Sequence, residues 1–130
     1  MSEQIAPANG IEIAYQTFGE RSDPALLLVM GLGSQLIHWP EEFCELLAAR
    51  GFYVVRFDNR DIGHSTKIED APVPDLMAVV AGDVSAARYT LDDMADDAVG
   101  LLDHLEIDAA HVAGASMGGM IAQTLAIRHP

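Results

Sequence analysis

The sequence predicts an α/β fold in which helices cover a mostly parallel sheet. Three observations lead to this prediction. Short apolar runs with the length of buried strands recur along the chain, segments with helical periodicity lie between them, and turns marked by glycine or proline separate the two. The predicted order is a β-hairpin followed by β-α-β-α-β-α, within a single domain that spans residues 1–130.

The predicted strands are short and apolar. The Asn9-Gly10 turn favours a hairpin between the first two. The third is an unbroken apolar run, Ala-Leu-Leu-Leu-Val-Met, which is typical of a strand buried on both faces. The last two are β-branched, aromatic or small in composition and predict central strands. The five stretches are residues 4–6, 11–18, 25–30, 52–57 and 111–114.

Three stretches have the periodicity of helices. Residues 40–50 begin with a proline at the favoured first position, carry Phe43, Leu46 and Leu47 on one face, and end before Gly51. Thr90 is a suitable N-cap for a second helix through Leu105. Residues 117–128 are apolar nearly all round and predict a buried helix. The apolar stripe of the second helix contains Leu91, Met94, Ala95, Ala98, Leu101, Leu102 and Leu105.

Composition excludes several classes of partner. The formal net charge is -13, so nucleic acids and anionic membrane surfaces should be repelled. Cys44 is the only cysteine, which excludes an intrachain disulfide and fits a reducing compartment. The first ten residues do not resemble a signal peptide, and no apolar run is long enough to span a bilayer. We therefore expect a cytoplasmic protein.

The stretch Gly114-Ala-Ser-Met-Gly-Gly119 places a hydroxyl between a predicted strand and a predicted helix. It could be a tight packing turn, a phosphate-binding turn, or a nucleophile elbow. The phosphate interpretation is weakened because the glycine spacing of dinucleotide sites and the Gly-Lys-Ser/Thr ending are both missing. The position between strand and helix favours the elbow, with Ser116 as the nucleophile.

Ester chemistry at such a serine needs hydrogen-bond donors for the oxyanion. The amide of Met117 begins the predicted helix, where it has no intrahelical acceptor. The second donor should come from the loop after residues 25–30, which reads Met-Gly-Leu-Gly-Ser. We assign it to the amide of Leu32.

Three motifs resemble those of the α/β-hydrolase fold. They are Met30-Gly-Leu-Gly33 at the oxyanion position, Asp58-Asn-Arg-Asp-Ile-Gly-His-Ser65 after the next strand, and Gly114-Ala-Ser-Met-Gly118 at the elbow. Asp61 stands where glycine is usual in the family, and Met30 where histidine is usual. Residues 30–40 are most similar to bacterial carboxylesterases, including lipase-like esterases and methylesterases of anthracycline polyketides. The resemblance implies a serine hydrolase of small-molecule esters that needs no cofactor.

The resemblance also implies that the match is to the N-terminal portion of that fold. Family members place the triad acid and histidine late in the chain, so we expect neither these residues nor the last strands and cap within residues 1–130. His38 and His64 follow strand ends and are the best-placed substitutes for the base, but local loop hydrogen bonds explain them more simply. Asp58 and Arg60 are interpreted as loop scaffolding.

The remaining polar groups suggest no metal or cofactor site. The acidic run Asp92, Asp93, Asp96 and Asp97 is interpreted as a solvated helix face, and no residues have zinc-site spacing. Serine haloperoxidase and C–C bond hydrolase chemistry remain open within the fold. A non-catalytic half-domain is the alternative from another class. The strand at residues 111–114 would then have an unpaired edge, so we expect self-association or binding of a complementary C-terminal segment.

Overall fold

The computed structural model describes residues 3–31, 34–66 and 90–130. Within these ranges the chain forms five strands, three α-helices and one 3-10 turn at Leu36–His38. Residues 76–81, where the sequence allows one turn of helix, lie outside the described residues. The strands are β1 (Gln4–Ala8), β2 (Ile11–Phe18), β3 (Ala25–Val29), β4 (Tyr53–Phe57) and β5 (Ala110–Gly114), and the helices are α1 (Glu41–Ala49), α2 (Leu91–His104) and α3 (Met117–Arg128).

The five strands form one sheet in the order β1-β2-β4-β3-β5. β1 pairs with β2, and β2 with β4, in antiparallel fashion, whereas β4, β3 and β5 run parallel to one another. Val29 at the end of β3 lies opposite Gly114 at the end of β5. The predicted hairpin and α/β architecture are confirmed. The parallel half brings three strand ends to one edge, where ligands bind in open α/β sheets.

The sheet is covered on both faces. Leu27 and Val29 of β3 pack under α2 and α3, whereas Leu28, between them, packs with Val54 and with Cys44 of α1. This alternation follows from the two-residue period of a strand. Full burial of one such leucine stabilises the fold by about 1.5–3 kcal/mol, so both faces of β3 contribute. The strand is buried on both faces, as its unbroken apolar run predicts.

Helix α2 matches its sequence pattern closely. The Thr90 hydroxyl accepts the amide of Asp93, and the Asp93 carboxylate accepts the amide of Thr90, which forms a reciprocal capping box. The predicted N-cap is therefore confirmed. The stripe also faces the core, with its buried members being Met94, Ala95, Ala98, Leu101 and Leu105.

The buried faces of the other two helices differ from prediction. On α1 the fully buried side chain is Cys44, whereas Phe43 is 40% and Leu46 is 65% exposed. Burial raises the pKa of the Cys44 thiol. On α3 the outer positions are exposed, including Ile127 at 80%. The sheet and α2 cover α3 from one side only among the described residues, so an all-round apolar helix is not fully buried here.

None of the described helices is both long enough and apolar enough to cross a membrane.

Candidate active site

Ser116 occupies the turn between β5 and α3. Its backbone angles are φ 55° and ψ -121°, and its side chain is exposed. A positive φ is uncommon for a residue other than glycine, and such a conformation costs about 1–3 kcal/mol unless the surroundings enforce it. The strained strand-to-helix turn is the geometry that holds a nucleophilic hydroxyl clear of the sheet.

Two glycines allow the strand and the helix to approach closely enough for this turn. A Cβ at Gly114 would lie 2.2 Å from the carbonyl oxygen of Gly118. A Cβ at Gly118 would lie 2.0 Å from the carbonyl oxygen of Val29, at the end of β3. Both contacts are with backbone atoms, which cannot swing aside as a flexible side chain does. The two glycines that flank Ser116 in the sequence are therefore required by packing.

Backbone hydrogen bonds hold the turn in place. The amide of Ala115 donates to the Val29 carbonyl at 3.0 Å, which anchors the turn to β3. The amides of Gly118 and Gly119 donate to Ala115 and Ser116 at 2.9 Å each. Met117 is the first residue of α3, where a backbone amide has no intrahelical acceptor. Its amide has the position in the chain that an oxyanion donor needs.

The loop after β3 reaches Ser116 at Gly31. A Cβ at this buried glycine would lie 3.1 Å from the Ser116 Cβ, 3.0 Å from the Ala115 carbonyl oxygen and 3.6 Å from the Met117 nitrogen. The start of the predicted oxyanion loop is therefore beside the candidate nucleophile. Leu32 and Gly33 lie outside the described residues, so the assignment of the Leu32 amide as the second donor stays a prediction.

Asp58 organises the loop after β4. Its carboxylate is 1% exposed and accepts the Leu36 amide at 2.7 Å and the His64 amide at 3.0 Å. Ser65 donates to the Asp58 carbonyl at 2.6 Å and accepts the Ala14 amide at 2.9 Å. These bonds tie the loop to the 3-10 turn and to β2, which is the contribution of a scaffold.

Arg60 anchors the same loop to α2. Its guanidinium donates to both oxygens of Asp97, at 2.7 and 2.8 Å, and Asp97 is 2% exposed. The interpretation of Asp97 as part of a solvated face is therefore wrong: its spacing in the sequence matched that of Asp92, Asp93 and Asp96, but α2 turns it toward the loop. A paired bidentate geometry of this kind compensates the cost of burying both charges.

Three of the described histidines have polar partners other than Ser116. His38 accepts the Gln35 amide at 2.8 Å, and His64 lies 2.7 Å from the Glu3 carboxylate. His129, at the end of α3, lies 3.1 Å from Asp96. Within residues 3–31, 34–66 and 90–130, no histidine is hydrogen-bonded to the Ser116 hydroxyl. The described part of the chain thus contains a candidate nucleophile without a paired base.

One cluster of potential metal ligands is present among the described residues. Atoms of Glu3, Asp58 and His64 lie within 4.8 Å of one another. Each already has a partner, because Asp58 accepts two amides and Glu3 pairs with His64. These hydrogen bonds, which join the loop after β4 to the 3-10 turn and to Glu3 before β1, account for the cluster without an ion.

Comparisons with known proteins agree with the α/β architecture and the strand-to-helix turn described above. The family model for the α/β-hydrolase fold matches residues 24–130. The chain belongs to the α/β-hydrolase family. It is the N-terminal portion of that fold, since it spans about two-fifths of the length of the curated relatives that it matches.

Three relatives illustrate the match to the α/β-hydrolase family. The chain is 38% identical over 130 residues to a rhodomycin D methylesterase of Streptomyces sp. strain C5, covering all of this chain and 39% of that protein. It is 32% identical over 123 residues to 3-oxoadipate enol-lactonase 2 of Acinetobacter baylyi, covering 95% and 39%. The crystal structure of an enol-lactonase from Burkholderia xenovorans LB400 superposes with a TM-score of 0.76 at 34% identity, covering 97% and 42%.

Sequence reasoning missed two polar residues near this α/β-hydrolase site. The Asn59 side chain donates to the Met30 carbonyl at 2.9 Å, and Arg56 donates to the Trp39 carbonyl at 2.5 Å. The role of Arg56 could have been suspected from the sequence, because it is the only charged residue in the apolar strand Tyr53–Phe57. The role of Asn59 could not, because an asparagine after a strand end is equally typical of an ordinary turn.

Proposed function

We propose that the complete protein hydrolyses carboxylic esters of small molecules through an acyl-enzyme on Ser116. The observation that carries the proposal is the exposed Ser116 at φ 55° on the β5–α3 turn, with Gly31 beside it. The exposed hydroxyl has room for an incoming carbonyl group. The first amide of α3 is one residue away. This combination fits acyl transfer better than a structural turn, which has no use for a strained serine.

The proposed reaction has two halves. The Ser116 Oγ attacks the ester carbonyl as its proton passes to a base, and the amides of Met117 and Leu32 hold the oxyanion. Collapse of the tetrahedral intermediate expels the alcohol, which takes up that proton. Water then attacks the acyl-serine, and the acid product leaves with Ser116 regenerated. No step calls for a metal or an organic cofactor.

We propose that the base and its orienting acid come from a part of the protein outside residues 1–130. The relatives are more than twice as long as this chain, and no described histidine is bonded to Ser116. A histidine that follows the nucleophile and an acid between them would complete a triad. The 130-residue chain alone should therefore be nearly inactive.

Similarity to named methylesterases favours an ester with a small alcohol. Two rhodomycin D methylesterases are each 38% identical to this chain, over 130 and 112 residues. We propose methyl esters, beginning with that of rhodomycin D, as the first substrates to test. We also propose a cytoplasmic location, because the only cysteine is a buried free thiol.

One observation favours a second candidate reaction. The chain is 57% identical over 44 residues to a 2-hydroxymuconate semialdehyde hydrolase of Pseudomonas sp. strain CF600. C–C bond hydrolysis at Ser116 is therefore the alternative within the family, and serine haloperoxidase-like chemistry is a further one. Turnover of a semialdehyde substrate with no turnover of esters would favour this alternative.

A serine-directed probe tests the main proposal. A fluorophosphonate should label the complete protein rapidly, and Ser116→Ala should abolish both labelling and methyl-ester hydrolysis. The 130-residue chain should be labelled slowly, with p-nitrophenyl ester turnover near background. Rapid Ser116-dependent labelling of the short chain would show that its base lies within these residues. Ester hydrolysis by Ser116→Ala at the wild-type rate would refute the nucleophile.

The outer edge of β5 is the proposed contact surface of the 130-residue chain. β3 is the one strand of the described sheet that pairs with β5, and Met120 and Ile127 of α3 are exposed apolar side chains. An unpaired edge beside an apolar surface favours association, so the short chain should self-associate or bind a complementary C-terminal segment. Sedimentation at several concentrations tests this. A monomer with cooperative unfolding at all concentrations would contradict it.

A further inference from the structure

Side chains from the end of β4 hold the loop that follows β3 at both of its ends. The Met30 carbonyl accepts a hydrogen bond from Asn59 at 2.9 Å. Farther along the loop, the Leu36 amide donates to Asp58 at 2.7 Å, and Arg56 donates to the Trp39 carbonyl at 2.5 Å. Arg56, Asp58 and Asn59, the loop clamp, are between 1% and 4% exposed.

Asn59 is the member of the loop clamp that acts closest to Ser116. The carbonyl that it holds belongs to the peptide bond joining Met30 to Gly31. A Cβ at Gly31 would contact the Ser116 Cβ at 3.1 Å and lie 3.6 Å from the Met117 nitrogen. A rotation of this one peptide would therefore move backbone atoms that face both the nucleophile and the candidate oxyanion donor.

Glycine offers little resistance to such a rotation, because it populates many backbone conformations with similar energy. The hydrogen bond from Asn59 supplies the missing restraint. It is made by a side chain that is 3% exposed, so water cannot readily replace it. The restraint acts on the orientation of the loop, whereas the Asp58 and Arg56 contacts act five and more residues away from Gly31.

We propose that Asn59 is a positioning residue for the oxyanion loop: its amide group fixes the Met30–Gly31 peptide so that the loop is preorganised against Ser116. This inference rests on the proposed ester hydrolysis at Ser116. Preorganised donors stabilise charge that develops only in the transition state. Loss of the restraint should therefore lower kcat and leave ground-state binding of the ester almost unchanged.

The test compares Asn59→Leu with a matched control in the complete protein. Leucine has the same branched arrangement of heavy atoms, although its two methyl groups make it larger, and it cannot donate a hydrogen bond. Asn59→Asp replaces the donor by a carboxylate oxygen with almost no change of shape, so the two variants share the loss of the donor and differ in size and charge. The control is Tyr15→Phe, because Tyr15 is equally buried and loses one side-chain hydrogen bond, its donation to Gln4 at 2.8 Å. That bond involves neither residues 30–39 nor residues 58–60.

We expect Asn59→Leu to lower kcat by about 10- to 100-fold, less than the roughly 100- to 1,000-fold cost of deleting an oxyanion donor. KM should stay within about threefold of the wild-type value. Tyr15→Phe should lower the melting temperature and keep the wild-type kcat. A kcat of Asn59→Leu and Asn59→Asp within about threefold of wild type, or an equal loss of kcat in Tyr15→Phe, would overturn the proposal.

A readout without turnover separates this inference from the proposed function. In amide NMR spectra, Asn59→Leu or Asn59→Asp should shift the Gly31 and Met117 signals, whereas Tyr15→Phe should leave both near their wild-type positions. If the wild-type protein hydrolyses no ester and these shifts still occur, the proposed function fails and the positioning of the loop stands. Unchanged Gly31 and Met117 signals in the Asn59 variants would overturn the positioning role regardless of activity.

Discussion

Alanine substitution at Gly118 should lower mainly the stability of the protein, whereas alanine substitution at Gly31 should lower mainly the reactivity of Ser116. A Cβ at Gly118 would lie 2.0 Å from the Val29 carbonyl oxygen, so α3 and β3 would have to separate by more than about 1 Å to restore the ordinary contact of 3.4 Å or more. A Cβ at Gly31 would meet its nearest atoms at 3.0–3.1 Å, which a shift of a few tenths of an ångström relieves. The same chemical change therefore has different structural consequences.

The magnitudes follow from this difference. Overpacking a core costs about 1–3 kcal/mol, and the clash at Gly118 is with backbone atoms, so its cost should be at the upper end of that range. Replacing a helical glycine by alanine recovers about 1 kcal/mol at most. We expect Gly118→Ala to lose about 2 kcal/mol of the free energy of unfolding. Gly31→Ala should change it by less than about 1 kcal/mol while its methyl group crowds Ser116.

Urea unfolding and serine labelling of the complete protein check both expectations. Gly118→Ala should lower the unfolding midpoint with an unchanged m-value, because the same surface is exposed on unfolding. Gly31→Ala should keep the midpoint and react with a fluorophosphonate at least about 10-fold more slowly, since one misplaced group near an oxyanion site costs about that much or more. Wild-type stability of Gly118→Ala would refute the close packing of α3 on β3. Wild-type labelling of Gly31→Ala would refute the approach of the loop to Ser116.

Three further predictions follow from the site and its surroundings. Asp97→Ala should cost about 3–5 kcal/mol of the free energy of unfolding, measured by heat or urea, because the buried guanidinium of Arg60 loses its carboxylate partner. Asp92→Asn, at an exposed ion pair, should cost less than about 1 kcal/mol. Similar losses in the two variants would contradict the burial of the Arg60–Asp97 pair. The hydrogen bond from His129, with help from Arg128, holds the pKa of Asp96 below its ordinary value of 3.8. The ionised Asp96 carboxylate therefore stabilises the folded state above that pH, and this stabilisation is lost as the pH falls through the lowered pKa. Asp96→Asn should therefore lower the melting temperature near neutral pH, and the difference from wild type should vanish in stronger acid; a difference that grows in acid would reverse the assigned sign. Leu32→Ala should keep most of the ester hydrolysis, because the backbone amide survives the change. Gly33→Val should lose far more activity, because a β-branched residue stiffens the turn. If Leu32→Ala were as inactive as Ser116→Ala, the Leu32 side chain would be the active group.

Sequence reasoning succeeded where a local pattern determines the structure. The stripe on α2 repeats with helical period, and Thr90 lies directly before it, so the helix and its N-cap could both be predicted. The tight turn between β5 and α3 was predictable for the same reason, because Gly114, Ser116 and Gly118 lie within five consecutive positions and close packing of a strand end on the following helix requires glycines at that spacing. The role of Ser116 as nucleophile stays a prediction.

Contacts between distant residues could not be predicted in this way. Asp97 is 37 positions from Arg60, and Asn59 is 29 positions from the carbonyl that it holds. Nothing in the local sequence distinguishes Asp97 from the exposed acids around it. On α1, burial of Cys44 in place of Phe43 depends on how the helix is rotated against β4, and Phe43 instead stacks on Trp39. Such rotations are set by the whole surface that a helix meets.

In the described residues, contacts with β3 are what mainly hold Ser116 in its strained backbone conformation. The turn is bonded to β3 through Ala115 and packed on β3 through Gly118, but the other edge of β5 meets no strand among residues 3–31, 34–66 and 90–130. A strained residue persists only where its surroundings over-determine it. Whatever covers that edge, whether another part of the polypeptide or a second copy, would therefore stabilise the conformation of Ser116 as well as the sheet. If Ser116 is the proposed nucleophile, we expect a contact on the outer edge of β5 to change its reactivity toward esters.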